Sequence, residues 1–345
     1  MRANLGCAAK TSALAIRADL SKSLRLAAID VGSNTIHLLL ASCDEGTPPR
    51  QLFRRREFVQ LGADVADTGR VGPARLELAA TTLRGQVAEA RRRGAAALAV
   101  GATQALRSAA NGREVSEILA ERAGLEQVVV LPAQVEAQLA FDGATFNLPP
   151  AQTFLLLDIG GASTQVAMGP ARGQCSDHSL PIGSGMIASL AAADPPTSEE
   201  WRLMERRVAE LLPDLVPPLQ GTLALGTGGT ITNLPRMLGR DKGAVLRLRD
   251  VEQVIELFRE LPAILLAERF GMDLERVRLC RGGVLILAQL MDLLGLSRVR
   301  CSERGLRDGM AMGLLARGPE WWKPLGAAGV EFMPDRDRSV ASVSV

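Results

Sequence analysis

The chain of 345 residues contains 47% apolar and 23% charged residues, enough for two globular domains, which excludes a disordered or fibrous protein. Its formal net charge of +2 is nearly balanced, so overall charge indicates neither a nucleic-acid nor a membrane partner. Five scattered cysteines without CxxC spacing and only two histidines argue against a disulfide framework, a zinc site and a histidine-based catalytic triad.

Residues 1–23 carry no secretory signal, because Lys10 and Arg17 interrupt their apolar stretch. We interpret this segment as a loose N-terminal extension. The longest run of apolar residues and glycine in the most apolar helical segment, 282–288, is far shorter than the roughly 20 residues that a transmembrane helix requires. The sequence therefore predicts a cytoplasmic protein without a membrane span.

The first domain is predicted over residues 24–148, from the periodicity of its apolar residues and from its Gly and Pro turns. Strands are predicted at 26–30, 36–43, 51–61, 95–101 and 127–131, and helices at 73–94, at 112–123 and from Pro132 onward. This order, three strands followed by alternating helices and strands, is that of a ribonuclease-H-like unit.

A linker at 147–150 leads to a second domain, residues 149–317, in which the same order of elements begins again. Strands are predicted at 153–158, 164–169, 174–181, 222–226 and 299–302, and helices at 198–212, 230–238, 250–261, 281–294 and 304–317. Residues 318–345 are interpreted as a C-terminal tail. The predicted fold is α/β, with two ribonuclease-H-like domains that flank an interdomain cleft.

An apolar strand that ends in aspartate and continues into a small-residue turn occurs twice, at 26–40 and at 155–168, with Asp30 and Asp158 in register. Glycines let backbone N–H groups approach a phosphate, and an aspartate beside that phosphate requires a hard cation such as Mg²⁺ between them. Either turn alone fits an ordinary tight hairpin equally well. The duplication favours a clamp that holds phosphate from both sides.

Three further segments carry candidate chemistry. Arg107 follows a strand at a helix start and can contact a phosphate, although a helix cap with a surface arginine fits as well. Glu136 in the first turn of a helix can orient or deprotonate water, although the helix dipole alone favours a glutamate there. The turn at 225–233, with Gly229 and Thr230, lacks the lysine and spacing of a Walker-type loop and fits a third phosphate-facing turn.

Basic residues also occur in local clusters that a polyanion could follow. The clusters are 54–56, 91–93 and the set Arg236, Arg240, Lys242, Arg247 and Arg249. For any one cluster, solvated surface arginines are the better interpretation.

Together these segments resemble the exopolyphosphatase / guanosine pentaphosphate phosphohydrolase family (Ppx/GppA phosphatases), which lies in the superfamily of actin, sugar kinases and chaperone ATPases. The resemblance extends from about Leu24 to Arg317. It rests on motifs in a fixed order, at 30–34, 102–111, 136–137, 158–164, 180–183, 228–230 and 302–309. It implies a hydrolase that uses Mg²⁺, or Mn²⁺, to release terminal orthophosphate from inorganic polyphosphate or the 5′ γ-phosphate from guanosine pentaphosphate.

The resemblance also implies roles for individual residues. Glu136 would activate the attacking water, and Asp158 would organise the metal and serve with Glu136 as a catalytic residue. The phosphate-binding residues would be Ser33, Asn34, Arg107, Gly160, Gly161, Ser163, Gly229 and Thr230. The family and the commonness of two-fold assemblies favour a homodimer.

The second turn departs from the family pattern, because Ala162 replaces a usual glycine and Gln165 a usual glutamate. A neutral amide cannot supply the negative charge that a glutamate offers to a metal. An alternative is therefore a catalytically weak or inactive sensor that binds alarmones or polyphosphate without cleaving them. A kinase of the same superfamily is the least favoured hypothesis, since no feature points to an acceptor-sugar site.

Overall fold

A computed structural model describes residues 23–323, in which two mixed α/β domains carry a five-stranded and a six-stranded sheet. Residues 1–22 and 324–345 lie outside the described residues, and with them almost all of the predicted N-terminal extension and most of the predicted tail. Among the residues described, no helix combines the length and the apolar character that crossing a bilayer demands.

The first sheet has the strand order β3-β2-β1-β4-β5. Its strands are β1 (Leu24–Val31), β2 (Thr35–Cys43), β3 (Arg50–Phe58), β4 (Ala97–Ala102) and β5 (Val129–Val130). The helices of this part are α1 (Leu61–Thr68), α2 (Pro73–Arg92), α3 (Gln104–Ser108), α4 (Gly112–Ala123) and α5 (Ala133–Thr145). The first three strands are antiparallel and the last two are parallel to β1, which confirms the ribonuclease-H-like order.

The second sheet repeats this order and adds one edge strand, giving β10-β11-β9-β6-β7-β8. Its strands are β6 (Thr153–Ile159), β7 (Thr164–Pro170), β8 (Ser176–Leu180), β9 (Leu223–Thr227), β10 (Val245–Arg247) and β11 (Arg298–Cys301). The accompanying helices are α6 (Ser184–Ala188), α7 (Ser198–Leu211), α8 (Gly228–Ile231), α9 (Leu234–Met237), α10 (Leu248–Glu260), α11 (Ala263–Phe270), α12 (Leu274–Leu293) and α13 (Leu306–Arg317).

Strand β1 belongs to two different layers because its side chains alternate between the faces of the sheet. Ile29 and its neighbours on one face form a core with α2 and α4. Leu26 and Ala28 on the other face pack against α5 and α13. Asp30 continues this second face at the end of the strand, where it lines the cleft.

Helices α5 and α13 pack against each other between the two sheets, and glycines allow their close approach. A Cβ atom on Gly309 would lie 1.9 Å from Leu139 O, and one on Gly143 would lie 2.1 Å from Gly305 O. Helix α5 also packs on the second sheet through Ala140, in a cluster with Phe154 of β6. This helix pair therefore fixes the position of Glu136, at the start of α5, relative to both sheets.

Helix α13 packs on the first sheet, although the predicted boundaries place it in the second domain, 149–317. Its partners besides α5 are β1, β2 and β4. The 3₁₀ turn Gly318–Glu320 follows, and Trp321 is buried in the same core as Leu26, so the described start of the predicted tail is packed rather than loose. The chain thus returns to the first sheet after completing the second.

Several elements differ from the prediction. The strand predicted at 51–61 ends at Phe58, because Gln60 adopts a left-handed conformation with φ of 50° and α1 begins directly afterwards. The helix predicted at 230–238 is divided into α8 and α9, with Pro235 in the first turn of α9. Helix α12 begins at 274 rather than 281. Helices α1, α6 and α11 and strand β10 were not predicted.

Candidate active site

The two glycine turns have the same internal hydrogen bond. Gly32 N donates to Thr35 O at 3.0 Å in the first turn, and Gly160 N donates to Ser163 O at 2.9 Å in the second. Each turn follows a strand whose penultimate residue is an aspartate, close to the position that the duplicated sequence predicts. The resemblance between the two segments is therefore one of backbone geometry as well as of residue type.

The tips of the two turns meet across the cleft. A Cβ atom on Gly161 would lie 2.4 Å from Asn34 Nδ2, and one on Gly185 would lie 3.0 Å from the same atom. Ser33 and Ser163 are both buried, with exposed fractions of 5% and 4%, and both line the cleft. The donors of both turns therefore face one shared space.

Three carboxylates converge at the base of this space, Asp30 at the end of β1, Asp158 at the end of β6 and Glu136 in the first turn of α5. Burial raises the pKa of Asp30 to about 7, and the charge of Glu136 adds to that effect. Burial, Glu136 and Asp30 together raise the pKa of Asp158 to about 7. Burial also raises the pKa of Glu136, which is only 6% exposed. This arrangement is unfavourable without a cation.

Two arginines partly offset this negative charge. Arg107 Nη1 donates to Glu136 Oε2 at 2.8 Å and to Leu131 O at 2.7 Å. The other terminal nitrogen of Arg107 donates to Gln104 Oε1 at 2.6 Å. Arg307, at the start of α13, lies with Nη1 3.9 Å from Asp30 Oδ2 and lines the cleft.

The predicted phosphate ligand Arg107 therefore sits behind Glu136 and is not among the residues that line the cleft. Its hydrogen bonds hold the Glu136 carboxylate in place. Arg307 is the arginine that reaches the cleft beside the carboxylates, and sequence reasoning did not select it as a site residue.

The donor set suits a hard divalent cation. Asp30 Oδ1 is buried and has no hydrogen-bond partner among the described residues. Within 23–323, no three His, Cys, Asp or Glu side chains form a preformed metal cage. Mg²⁺ in phosphate-processing sites is held by one or two carboxylates, with phosphate oxygens and water completing its shell. Asp30 and Asp158 fit a cation held in that way.

The third turn reaches the cleft through Thr227, Gly228, Gly229, Thr232 and Asn233. Gly229 lines the cleft, and a Cβ atom there would lie 2.0 Å from Arg276 Nη1. Thr230 is 1% exposed and does not line the cleft, and its hydroxyl faces Gly283 on α12, where a Cβ atom would lie 2.0 Å from it. Of the two residues predicted here, the structure places Gly229 at the site and Thr230 behind it.

Four arginines, Arg54, Arg56, Arg276 and Arg307, form a cationic wall that extends from the carboxylates along the first sheet. Cross-strand register places Asp30, His37 and Arg56 side by side on one face. The pKa of His37 is well below its usual value, because of burial and then of the charges of Arg307, Arg276, Arg56 and Arg54. Arg276 itself is 6% exposed and comes from α12, where no local signal in the sequence marks it.

Gln165 faces the cleft and is buried, with an exposed fraction of 2%. Its Nε2 donates to Ser163 Oγ at 3.2 Å and to Ser179 Oγ at 3.4 Å, and it lies directly across from Asp158 in the β6–β7 register. Ala162 keeps a negative φ, since Gln60 is the only non-glycine residue with positive φ in the described part of the chain. The methyl group at 162 therefore introduces no backbone strain.

The cleft between the domains has a volume of about 1890 Å³. Besides Asp30, Glu136 and Asp158 it is lined by basic residues from both domains, which are Arg50, Arg54, Arg55, Arg56, Arg236, Arg240, Lys242, Arg276, Arg304 and Arg307. The further acidic residues of the lining are fewer: Asp44, Asp241, Asp273, Glu303 and Asp308. A glycine-rich, carboxylate-containing base with a basic wall can hold a phosphate chain and a cation together.

Comparison with known proteins places this geometry in a family. The model of the Ppx/GppA phosphatase family matches residues 39–318. Exopolyphosphatase 2 of Mycobacterium tuberculosis is 29% identical over 320 residues, which are 84% of this chain and 98% of the relative. An uncharacterised protein of Streptomyces coelicolor is 30% identical over 317 residues, 87% of this chain and 93% of its own.

Solved structures agree with the sequence comparison. The Aquifex aeolicus Ppx/GppA enzyme is 26% identical with a TM-score of 0.68, over 85% of this chain and 99% of that one. An exopolyphosphatase from Cytophaga hutchinsonii shares the fold, with a TM-score of 0.73 at 21% identity over 85% of this chain and 98% of that one. The chain belongs to the Ppx/GppA phosphatase family.

Proposed function

We propose that this member of the Ppx/GppA phosphatase family is a Mg²⁺-dependent phosphohydrolase that releases terminal orthophosphate from inorganic polyphosphate or the 5′ γ-phosphate from guanosine pentaphosphate. The observation that carries the proposal is the convergence of Glu136, Asp30 and Asp158 between two facing phosphate-binding turns. The relatives named as exopolyphosphatases support the same class of substrate.

Glu136 is the proposed general base. Burial raises its pKa, which makes the carboxylate a stronger proton acceptor, and its bond from Arg107 orients the carboxylate. The water oxygen attacks the terminal phosphorus while the bond from that phosphorus to the bridging oxygen breaks. The water proton passes to Glu136, and the bridging oxygen leaves with the shortened chain. Arg107 is thus a positioning residue in this account.

Asp158 and Asp30 are proposed to hold the metal ion. Bound Mg²⁺ would neutralise the charge of the phosphate oxygens and polarise the phosphorus under attack. Asp30 Oδ1 is buried and has no hydrogen-bond partner among the described residues. This supports a metal-binding role for Asp30 in the first turn, like that of Asp158 in the second. Mn²⁺ offers the same preference for oxygen ligands and is a proposed substitute.

The phosphates are proposed to bind between the two turns. Ser33, Asn34 and Ser163 supply side-chain donors there, and the backbone of Gly160, Gly161 and Gly229 lines the same cleft. Arg307 is added to the predicted ligands because it lines the cleft beside Asp30. In-line attack on phosphorus depends mainly on such positioning and on neutralisation of charge.

The test is orthophosphate release by the purified chain from tripolyphosphate, long-chain polyphosphate and guanosine pentaphosphate, each with Mg²⁺, with Mn²⁺ and with a chelator. We expect metal-dependent release from at least one substrate, and the ratio of kcat/KM values assigns the preferred one. Absence of release from all three, with either metal, would overturn the proposal.

A specific observation supports a second candidate, a sensor that binds these anions without hydrolysing them. Gln165 brings a neutral amide into the cleft opposite Asp158, where the family pattern has glutamate. A sensor would bind polyphosphate or guanosine pentaphosphate tightly in calorimetry and release no phosphate over hours. Turnover by the wild-type chain would eliminate this candidate.

A further inference from the structure

The outer edge of the second sheet presents three arginines on one face. The register pairs Val245 with Arg300, Leu246 with Val299 and Arg247 with Arg298. Leu246 and Val299 are both fully buried in the core, so the residues that alternate with them point outward. Arg247, Arg298 and Arg300, which we call the edge arginines, are all exposed.

The edge arginines are placed at a cost to stability. Arg247 and Arg298 lie directly opposite each other, a position in which side chains of like charge repel and weaken the strand pair. Within 23–323, no carboxylate lies within ion-pair distance of an edge arginine, although two cations nearby are paired. Arg240 bonds to Asp250 at 2.7 Å and Lys242 to Glu303 at 2.8 Å. The positive charge of the edge arginines is therefore suited to binding an anion that is not part of the chain.

The edge arginines continue from the rim of the cleft. Lys242, which lines the cleft, lies three residues before β10, and Arg304, which also lines it, lies three residues after β11. Cys301 N donates to Ala244 O at 2.9 Å, so the two strands remain paired up to that rim. The step from Ser302 to Arg298 is four residues, or roughly 13 Å of strand. An anion must be a chain to reach from the cleft to Arg298.

We propose that the edge arginines bind the distal phosphates of long-chain inorganic polyphosphate whose terminal phosphate occupies the cleft. The inference rests on the proposed function, since the occupant of the cleft defines where the chain starts. Three linked phosphates are too short to span the distance. The edge arginines would therefore give the enzyme a preference for long chains without changing the chemistry at Glu136.

Polyphosphate fits this surface better than a single-stranded nucleic acid does. Proteins that bind single strands combine basic residues with aromatic side chains on which bases stack. The fourth outward residue of the β10–β11 pair is Val245, so the ribbon contains cations and one aliphatic side chain but no aromatic ring. Inorganic polyphosphate has no bases, so its binding requires only the cations that this surface provides.

The experiment compares the triple variant R247Q/R298Q/R300Q with a control, R84Q/R202Q/R206Q. The control removes the same charge from exposed positions on α2 and α7. Both variants and wild type are assayed for kcat and KM on tripolyphosphate and on chains of several hundred phosphates, over a series of salt concentrations. We expect the edge variant to raise KM for long chains about tenfold or more, with kcat and tripolyphosphate kinetics unchanged. The slope of log KM against log salt should fall by about 2 to 3, as removal of that many phosphate contacts predicts.

Several results decide the matter. Equal KM values for long chains in the edge variant, the control and wild type would overturn the inference while leaving phosphate release, and so the proposed function, intact. Tighter binding of a single-stranded oligonucleotide than of polyphosphate, lost only in the edge variant, would also overturn it. If wild type releases no phosphate, the proposed function fails by itself, and long-chain binding by the same variants, measured by calorimetry, then tests the edge arginines directly. The Tm of the edge variant should equal or exceed that of wild type, because like charges have been removed.

Discussion

Asn34 in the first glycine turn lies against Gly161 in the second, so closely that a Cβ atom on Gly161 would be 2.4 Å from Asn34 Nδ2. The second turn is held in turn by Gly185 N, which donates to Gly161 O at 2.9 Å. A Cβ atom at position 161 would therefore displace the Asn34 amide from its place between the two turns.

Gly161→Ala should displace the Asn34 amide in the phosphate site and leave the fold intact. Displacement by about 1 Å of groups that position a reacting phosphate costs on the order of 100-fold in rate, which we expect here in kcat/KM for tripolyphosphate. The control is Gly85→Ala on helix α2, where an added Cβ meets no atom within 4 Å. If both variants retain wild-type activity, the close contact at Asn34 has no catalytic role.

Asp30→Asn should stabilise the metal-free protein at alkaline pH while abolishing hydrolysis. Burial raises the pKa of Asp30 in the folded protein to about 7, above its ordinary value of 3.8, so the protonated carboxyl favours the fold. The stability that it contributes is complete below pH 3.8 and is lost as the pH rises through 7. In a chelating buffer, the variant should therefore unfold at a higher Tm than wild type at pH 8, with a much smaller difference near pH 4. A lower Tm of the variant at pH 8 would contradict the origin of this shift.

Gln165→Glu should lower the Mg²⁺ concentration required for half-maximal activity, by about threefold or more, because a second carboxylate then lies across from Asp158. Without metal the same carboxylate should lower the Tm, and Mg²⁺ should restore it. Gln165→Met is the control, since it keeps the length of the side chain and adds no charge. An unchanged Mg²⁺ requirement in Gln165→Glu would indicate that this position does not contact the metal ion.

Asp273→Asn should lower KM by about twofold to fivefold. Arg56 on the cationic wall forms an ion pair with Asp273, which directly precedes α12 in the other domain. The carboxylate competes with substrate phosphates for Arg56, and the pair is exposed enough that its loss should cost less than about 1 kcal/mol of stability. Glu275→Gln, two residues further along, removes a charge that pairs with Arg278 instead, and should leave KM unchanged. A higher KM in Asp273→Asn would show that the ion pair assists binding.

The duplicated turns could be predicted from sequence because their signals are local. An apolar strand, an aspartate and a glycine turn are consecutive in the chain, and both hairpins formed at the predicted places. The helix after β4 was also predicted, but Arg107 lies in its last turn rather than at its start, and the partner of Arg107 depends on where Glu136 lies after β5. That separation of 29 residues is closed by sheet pairing, which periodicity does not reveal.

The cationic wall and the return of α13 to the first sheet could not be predicted from the sequence, for the same reason. Arg276 lies within a helix whose apolar pattern identifies a core element, and only the packing of α12 against the cleft brings the arginine near Gly229. The return of α13 to the first sheet depends on Gly309 meeting Leu139 O in another helix. A glycine in a helix gives no indication of the backbone that approaches it.

The most direct test of the account concerns Glu136. We would measure the initial rate of orthophosphate release from tripolyphosphate at saturating Mg²⁺ for wild type and Glu136→Gln. The Kd of each protein for tripolyphosphate would be measured by calorimetry. Loss of a general base predicts a rate lower by about 100- to 10,000-fold, with a Kd within about threefold of wild type. A variant that releases phosphate within tenfold of the wild-type rate would contradict the assignment of Glu136 as the group that activates water.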